Sequence, residues 1–213
     1  MSEPVQGSDA WRQLRCGWIG ASKIADVMAK GKSGAPSATR ANLMADLICE
    51  RLTGQPVQSF TSSDMQWGID NEQGAVDAYE FLNDVEVQTC SFIPHPTIEF
   101  TGASPDRLIG TDGLLEVKCF KTANHIDTLL TESIDRRYLL QIQWQLACTQ
   151  RSWAHFVAYD PRLPATMQLF QKTVPRDERL IAEISVEVRA FIAELNEKTL
   201  ALQAKYLPQK DAA

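Results

Sequence analysis

Two carboxylates and one amine are grouped in the segment SPDRLIGTDGLLEVKC, residues 104–119: Asp106, then Glu116, then Lys118 two residues further on. Side chains of these types suit hydrolysis of a phosphodiester. Carboxylate oxygens are hard donors for Mg²⁺, which keeps several of its own waters. The ion acidifies a water and screens charge on the phosphate oxygens, and a second ion ~4 Å away stabilises the leaving oxygen. A lysine beside that water orients it or helps to deprotonate it, and offsets charge in the transition state. The spacing supports such a cluster. TDG (111–113) is a tight-turn signal, so a strand over 106–110 folds back on one over 114–119 and brings Asp106 within a residue or two of Glu116. Alternation along the second strand puts Glu116 and Lys118 on one face and Leu115, Val117 and Cys119 on the other, toward the core. The same pattern also describes an ordinary hairpin with a polar, solvent-facing side.

Three nearby features favour the chemical reading. Ser104 and Pro105 precede Asp106 at the start of the hairpin. Glu72 stands in WGIDNEQGA on a helix predicted over 64–82, placed to project as another ligand. Gln141 and Gln145 lie one turn apart on a helix predicted over 136–149. Other helices are expected over 9–16, with Ser8 as N-cap, over 20–30, from Ser37 to about Leu52, and over 177–206. Thr122 is read as the cap of a short helix. Strands are expected over 85–93, 99–104, 152–159 and 166–174, and 31–39 reads as a loop. Helices, then a mixed sheet with an intervening helix, then a long amphipathic helix make an α/β or α+β domain. Residues 1–8 and 207–213 read as tails around a single domain over 9–206.

Composition narrows the classes. The chain has 213 residues, 44% hydrophobic and 23% charged, as in globular domains. It has no apolar run near the ~18 residues of a membrane span and no signal peptide, so a cytoplasmic location is expected. Its five cysteines include no CxxC pair, which argues against a disulfide framework or zinc ribbon. His95, His125 and His155 lack metal spacing and read as surface or satisfied histidines. The net charge of −6 speaks against nucleic acid at first. However, residues 1–60 hold 7 Lys+Arg against 5 Asp+Glu, while 61–169 hold 7 against 15. A few of those central carboxylates holding cations would invert the local field.

Beyond the cluster, the sequence carries W-x-x-L-R-x-G-x-I-G-A-S (Trp11 to Ser22), W-G-x-x-x-E (Trp67 to Glu72), S-P-D (Ser104 to Asp106), L-E-V-K-C (Leu115 to Cys119), Y-L-L-Q-I-Q (Tyr138 to Gln143) and Y-D-P-R (Tyr159 to Arg162). With these motifs in order, it resembles the lambda-exonuclease (YqaJ-type) family of phage recombination nucleases, over nearly the whole chain. That resemblance implies a restriction-endonuclease-like PD-(D/E)xK core, a central mixed β-sheet flanked by helices. It further implies a Mg²⁺-dependent 5′→3′ exonuclease on linear double-stranded DNA, with two ions and with Mn²⁺ able to substitute. Such an enzyme releases 5′-mononucleotides, leaves a 3′-ended strand, works as a ring-shaped homotrimer and serves a single-strand annealing protein.

Residue by residue, the resemblance makes Asp106, Glu116 and the Val117 carbonyl the metal ligands, with Glu72 contacting the metal site or its water. Lys118 stands beside the nucleophilic water and Gln141 completes the site. Arg15 grips the 5′-phosphate, helped by Ser22 and Ser104. Lys32 falls in the loop that reaches the DNA groove, where the family pattern has arginine. Met65 takes the place of an apolar wedge at the terminal base pair; a buried helix-end methionine is the alternative. Trp11, Trp18, Trp67 and Trp153 are expected in the core. Arg136 and Arg137 are either phosphate contacts or a solvated helix start. The competing functions are a PD-(D/E)xK endonuclease and a non-catalytic DNA-end-binding subunit.

Overall fold

The structure is a computed structural model that describes residues 4–31, 36–57 and 62–207. The chain opens with α1 (Asp9–Leu14), where the Ser8 hydroxyl accepts from the Trp11 amide. Strand β1 (Ile19–Gly20), a 3₁₀ turn (Ala21–Lys23) and α2 (Ile24–Val27) follow, so the helix expected over 20–30 is broken into short pieces. Ser37 caps α3 (Ala38–Thr53), which ends at Gly54 in the left-handed conformation. The long α4 (Ser63–Asn83) is capped by Ser62.

The strand expected over 85–93 divides into β2 (Val87–Gln88) and β3 (Ile93–Pro94), which pair in different sheets. Then come β4 (Thr101–Ala103), β5 (Arg107–Ile109) and β6 (Gly113–Cys119). The crossover is α5 (Thr122–Thr131) and α6 (Arg136–Thr149). Thr122 is the first helical residue of α5 rather than its cap, and its hydroxyl serves Asp160 instead. The chain closes with β7 (Trp153–Tyr159), β8 (Leu169–Pro175) and α7 (Glu178–Tyr206), the last capped by Asp177.

A small sheet runs β1-β4-β3, and a larger mixed sheet runs β2-β5-β6-β7-β8. β5 and β6 form the expected antiparallel hairpin, whereas β6 and β7 are parallel. A parallel pair needs a crossover, and here α6 covers one face of the sheet. Leu114, Ile142, Leu146 and Phe156 pack on that side. Val76 and Tyr79 of α4 pack with Leu115 and Val117 on the other. A third apolar cluster joins α2, α3, α6 and α7 around Trp144 and Phe191. Consequently α6 is buried nearly all round. The tryptophans expected in the core are only partly buried; Trp144 is fully buried.

Arg151, just after α6, clamps the hairpin turn. Its Nη1 donates to the carbonyls of Ile109, Gly110 and Gly113 at 3.2, 2.9 and 2.8 Å. Hydrogen bonds from a charged donor are worth about 1.5–3 kcal/mol. Arg151→Ala is therefore expected to lower the thermal midpoint by roughly 3–10 °C for a chain of this size. An unchanged melting curve would show that the clamp contributes nothing to holding the hairpin.

Candidate active site

The hairpin register continues past the paired residues Arg107 and Leu115 to bring Asp106 beside Glu116. The Val117 amide donates to Asp106 Oδ2 at 2.7 Å, which ties the turn-side carboxylate to the returning strand. Glu116 and Lys118 do share a face, but that face is not open to water. Glu116 is 0% exposed because α6 lies over it. Lys118 Nζ stands 2.5 Å from Glu116 Oε1. The Gln141 and Gln145 side-chain amides donate to Glu116 Oε1 and Oε2, each at 2.6 Å. The polar, solvent-facing hairpin is thereby ruled out: a buried charge is stable only where it is paired and hydrogen-bonded.

The electrostatics of the cluster follow from this crowding. Burial, and then the neighbouring Glu116 charge, push the Asp106 carboxyl well above the usual carboxylate range, against the pull of Lys118. Burial disfavours the Lys118 ammonium, but Glu116 and Asp106 outweigh it and hold the amine charged above its ordinary value. Two carboxylates forced together in one buried place favour a cation between them. Among the described residues no group of three or more His, Cys, Asp or Glu side chains is arranged to hold a metal. The side chains that could hold a cation here are the two carboxylates, with Val117 bordering the cleft beside Asp106, and solvent would complete the coordination. That set fits Mg²⁺, which is commonly held by one or two carboxylates and retains waters.

Glu72, on α4, borders the same cleft. Its carboxylate accepts from Arg107 Nη1 at 3.1 Å, and Arg107 also reaches the Asp106 carbonyl and Gln73. Arg107 thus fixes Glu72 next to the cluster, a role that its neighbouring position in SPDR did not suggest. The cleft holds about 800 Å³, and Met65, Trp67, Glu72, Asp106, Lys118 and Gln141 are among the residues lining it. Met65 sits in the first turn of α4 and is 50% exposed at the cleft, so it is not a buried helix-end residue. Trp67 is covered by the Arg162 guanidinium, 4.1 Å from its ring. Arg162 is itself held by the fully buried Asp160. Arg137 borders the cleft from the start of α6.

A smaller recess of about 200 Å³ opens beside Asp106 and Lys118 and collects Arg15, Ser22, Ser104 and Gln141. Arg15 lies at the end of α1 with its guanidinium 4.0 Å from the Trp11 ring. A Cβ on Gly20 would overlap Arg15 Nη2 and push the guanidinium aside. Ser104 Oγ accepts from Trp11 Nε1 at 3.3 Å. Among the described residues the Arg15 side chain has no hydrogen-bond or ion-pair partner, and its Nε is buried. Burial, partly countered by Glu50, lowers its pKa to about 10. It therefore remains a cation at neutral pH, bordering a recess that it shares with Asp106 and Lys118. Lys32 lies outside the described residues.

Gln145 was visible in the sequence only as the i+4 companion of Gln141; its hold on Glu116 depends on how α6 packs. Cys16, Cys49, Cys119 and Cys148 are free thiols. His125 is buried against the Met167 carbonyl, and the partly buried His155 meets the Tyr79 hydroxyl, both as structural histidines. Among the described residues no helix is long and apolar enough to cross a membrane.

Comparison with known proteins agrees with this geometry. Residues 10–152 match the model of a YqaJ-like viral recombinase domain. The chain is similar to the crystal structure of an alkaline exonuclease, LHK-Exo, from Laribacter hongkongensis. The two share 43% identity with a TM-score of 0.87, over 93% of this chain and 97% of that one. LHK-Exo in complex with dAMP matches at 44% identity and the same TM-score, with the same coverage. A phage-related exonuclease from Haemophilus somnus 129PT, 14% identical with a TM-score of 0.71 over 87% of this chain and 96% of that one, shares the fold. No curated protein sequence matches the chain. A mixed α/β core of the PD-(D/E)xK type, a buried carboxylate–lysine cluster and these relatives together establish that the chain belongs to the YqaJ-like viral recombinase family, whose lambda-exonuclease-like members include alkaline exonucleases.

Proposed function

We propose that this chain is a divalent-cation-dependent exonuclease that degrades linear double-stranded DNA from its 5′ ends, releasing 5′-mononucleotides and leaving 3′-ended strands for recombination by annealing. One observation carries the reading: the unpartnered, largely buried Arg15 faces a recess that is shared with Asp106, Lys118 and Gln141. A terminal 5′-phosphate held by Arg15, Ser22 and Ser104 would leave the next phosphodiester beside the carboxylates. The guanidinium fork suits a phosphate with free oxygens.

Asp106, Glu116 and the Val117 carbonyl would hold the cation, preferably Mg²⁺, whose chemistry there is to acidify a water and screen the phosphate charge. Lys118 supplies a fixed positive charge and donors for the attacking oxygen or the phosphate. Gln141 and Arg107 orient Glu116 and Glu72. Met65, at the cleft, is placed to meet the terminal base pair as an apolar wedge. The same reading includes a homotrimeric ring around DNA, an annealing-protein partner and action in the cytoplasm of a bacterial host cell; these rest on the family resemblance.

The direct test is digestion of one end-labelled duplex bearing a 5′-phosphate or a 5′-hydroxyl, beside a closed circle. Mononucleotides released with Mg²⁺ from the phosphorylated end, loss of activity in EDTA and an intact circle are expected. Discrete fragments from the circle would instead favour an endonuclease. Arg15→Ala should reduce the preference for 5′-phosphate over 5′-hydroxyl ends by roughly 10–100-fold, since the lost charged hydrogen bonds are worth about 1.5–3 kcal/mol. Equal slowing on both ends would remove the phosphate grip. Lys118→Ala should lower kcat by at least ~100-fold while end binding in EDTA survives; normal turnover would sink its assignment.

A further inference from the structure

Gln145 is 0% exposed and lies one helical turn beyond Gln141 on α6, yet it borders neither the cleft nor the phosphate recess. Its Nε2 donates to Glu116 Oε2 at 2.6 Å, and its own Oε1 is buried with no partner among the described residues. Leaving a buried carbonyl unpaired is unfavourable. The side chain thus occupies an unfavourable site for its oxygen while its amide meets the carboxylate.

The division of labour around Glu116 is asymmetric. Oε1 faces Lys118 and Gln141, both of which line the cleft where substrate would enter. Gln145 holds Oε2 from the closed side, next to Leu146 and Trp144, which are fully buried. With a single donor on it, Oε2 keeps a lone pair free. An apolar residue at this position would leave Oε2 without this donor and the carboxylate free to turn about the contacts that Lys118 and Gln141 make to Oε1.

We propose that Gln145 is a positioning residue for the cation: it locks the Glu116 carboxylate in one rotamer, so that a divalent ion meets a preformed ligand. This rests on the reading of Asp106 and Glu116 as cation ligands. Partners that orient a metal-binding side chain in this way typically contribute 10–100-fold to affinity or activity.

The test is Mn²⁺ binding to the full chain by titration calorimetry, with DNA-end binding measured in EDTA and thermal unfolding measured in parallel. Gln145→Met, similar in length and lacking the donor, should weaken Mn²⁺ binding roughly 10–100-fold while DNA-end binding in EDTA stays within about twofold. Gln145→Asn keeps an amide that is one methylene too short to reach Glu116; it should show the same loss and answers the question if the methionine variant fails to fold. A residue serving only packing would lower the unfolding midpoint and leave the affinity of the folded protein unchanged. Wild-type Mn²⁺ affinity in either folded variant, with binding abolished in Glu116→Gln, overturns the role of Gln145 and leaves the metal reading standing. Wild-type Mn²⁺ affinity in Glu116→Gln itself overturns both.

Discussion

Glu116 lies without solvent exposure between a parallel strand pair and a helix, and its charge is answered there by Lys118, Gln141 and Gln145. Removing a carboxylate from water costs several kcal/mol unless partners replace the lost hydration. Much of the surrounding structure follows from that requirement. Because α6 forms part of the crossover that makes β6 and β7 parallel, it covers the face on which Glu116 points. A helix so placed would ordinarily be apolar throughout. Here it carries three glutamines whose side-chain amides each donate to a partner: Gln141 and Gln145 to Glu116, and Gln143 to the Pro175 carbonyl, while the Gln143 oxygen accepts from the Asp177 amide.

The same arrangement makes the cluster receptive to a cation. Asp106 is brought against Glu116 by the hairpin and is anchored by the Val117 amide, so the two carboxylates cannot separate to relieve their repulsion. Lys118 compensates only part of the charge. On the neighbouring wall a positive charge is left over, since Arg15, packed on Trp11 and fitted at Gly20, borders the recess with no hydrogen-bond or ion-pair partner among the described residues. Adjacent sites of opposite unmet charge suit a ligand that presents a phosphate to each in a different way, one through a cation and one directly.

The hairpin was legible because its cause is local. A tight turn between two short strands sets the separation of Asp106 and Glu116, and strand alternation sets the face shared by Glu116 and Lys118. The caps at Ser8 and Ser37 were equally plain, since a single hydroxyl decides each. The strand read over 85–93 was misjudged because β propensity does not say which partner a strand finds: β2 pairs with β5 and β3 with β4. Partial burial of the four tryptophans, and the Arg162 guanidinium stacked on Trp67, likewise depend on side chains distant in sequence.

Sequence by itself therefore determined the reactive groups, the turn that unites them and, through its motifs, the family. Tertiary structure decided that their face is buried, that Gln145 as well as Gln141 holds Glu116, that Arg107 holds Glu72, and that Arg15 reaches the same corner as Lys118. The physical reason is range. Turn and alternation rules act over a few residues and leave a period that can be read. Burial and charge pairing arise between segments 25 to 35 residues apart or more, whose meeting is set by packing and leaves no spacing in the chain to mark it.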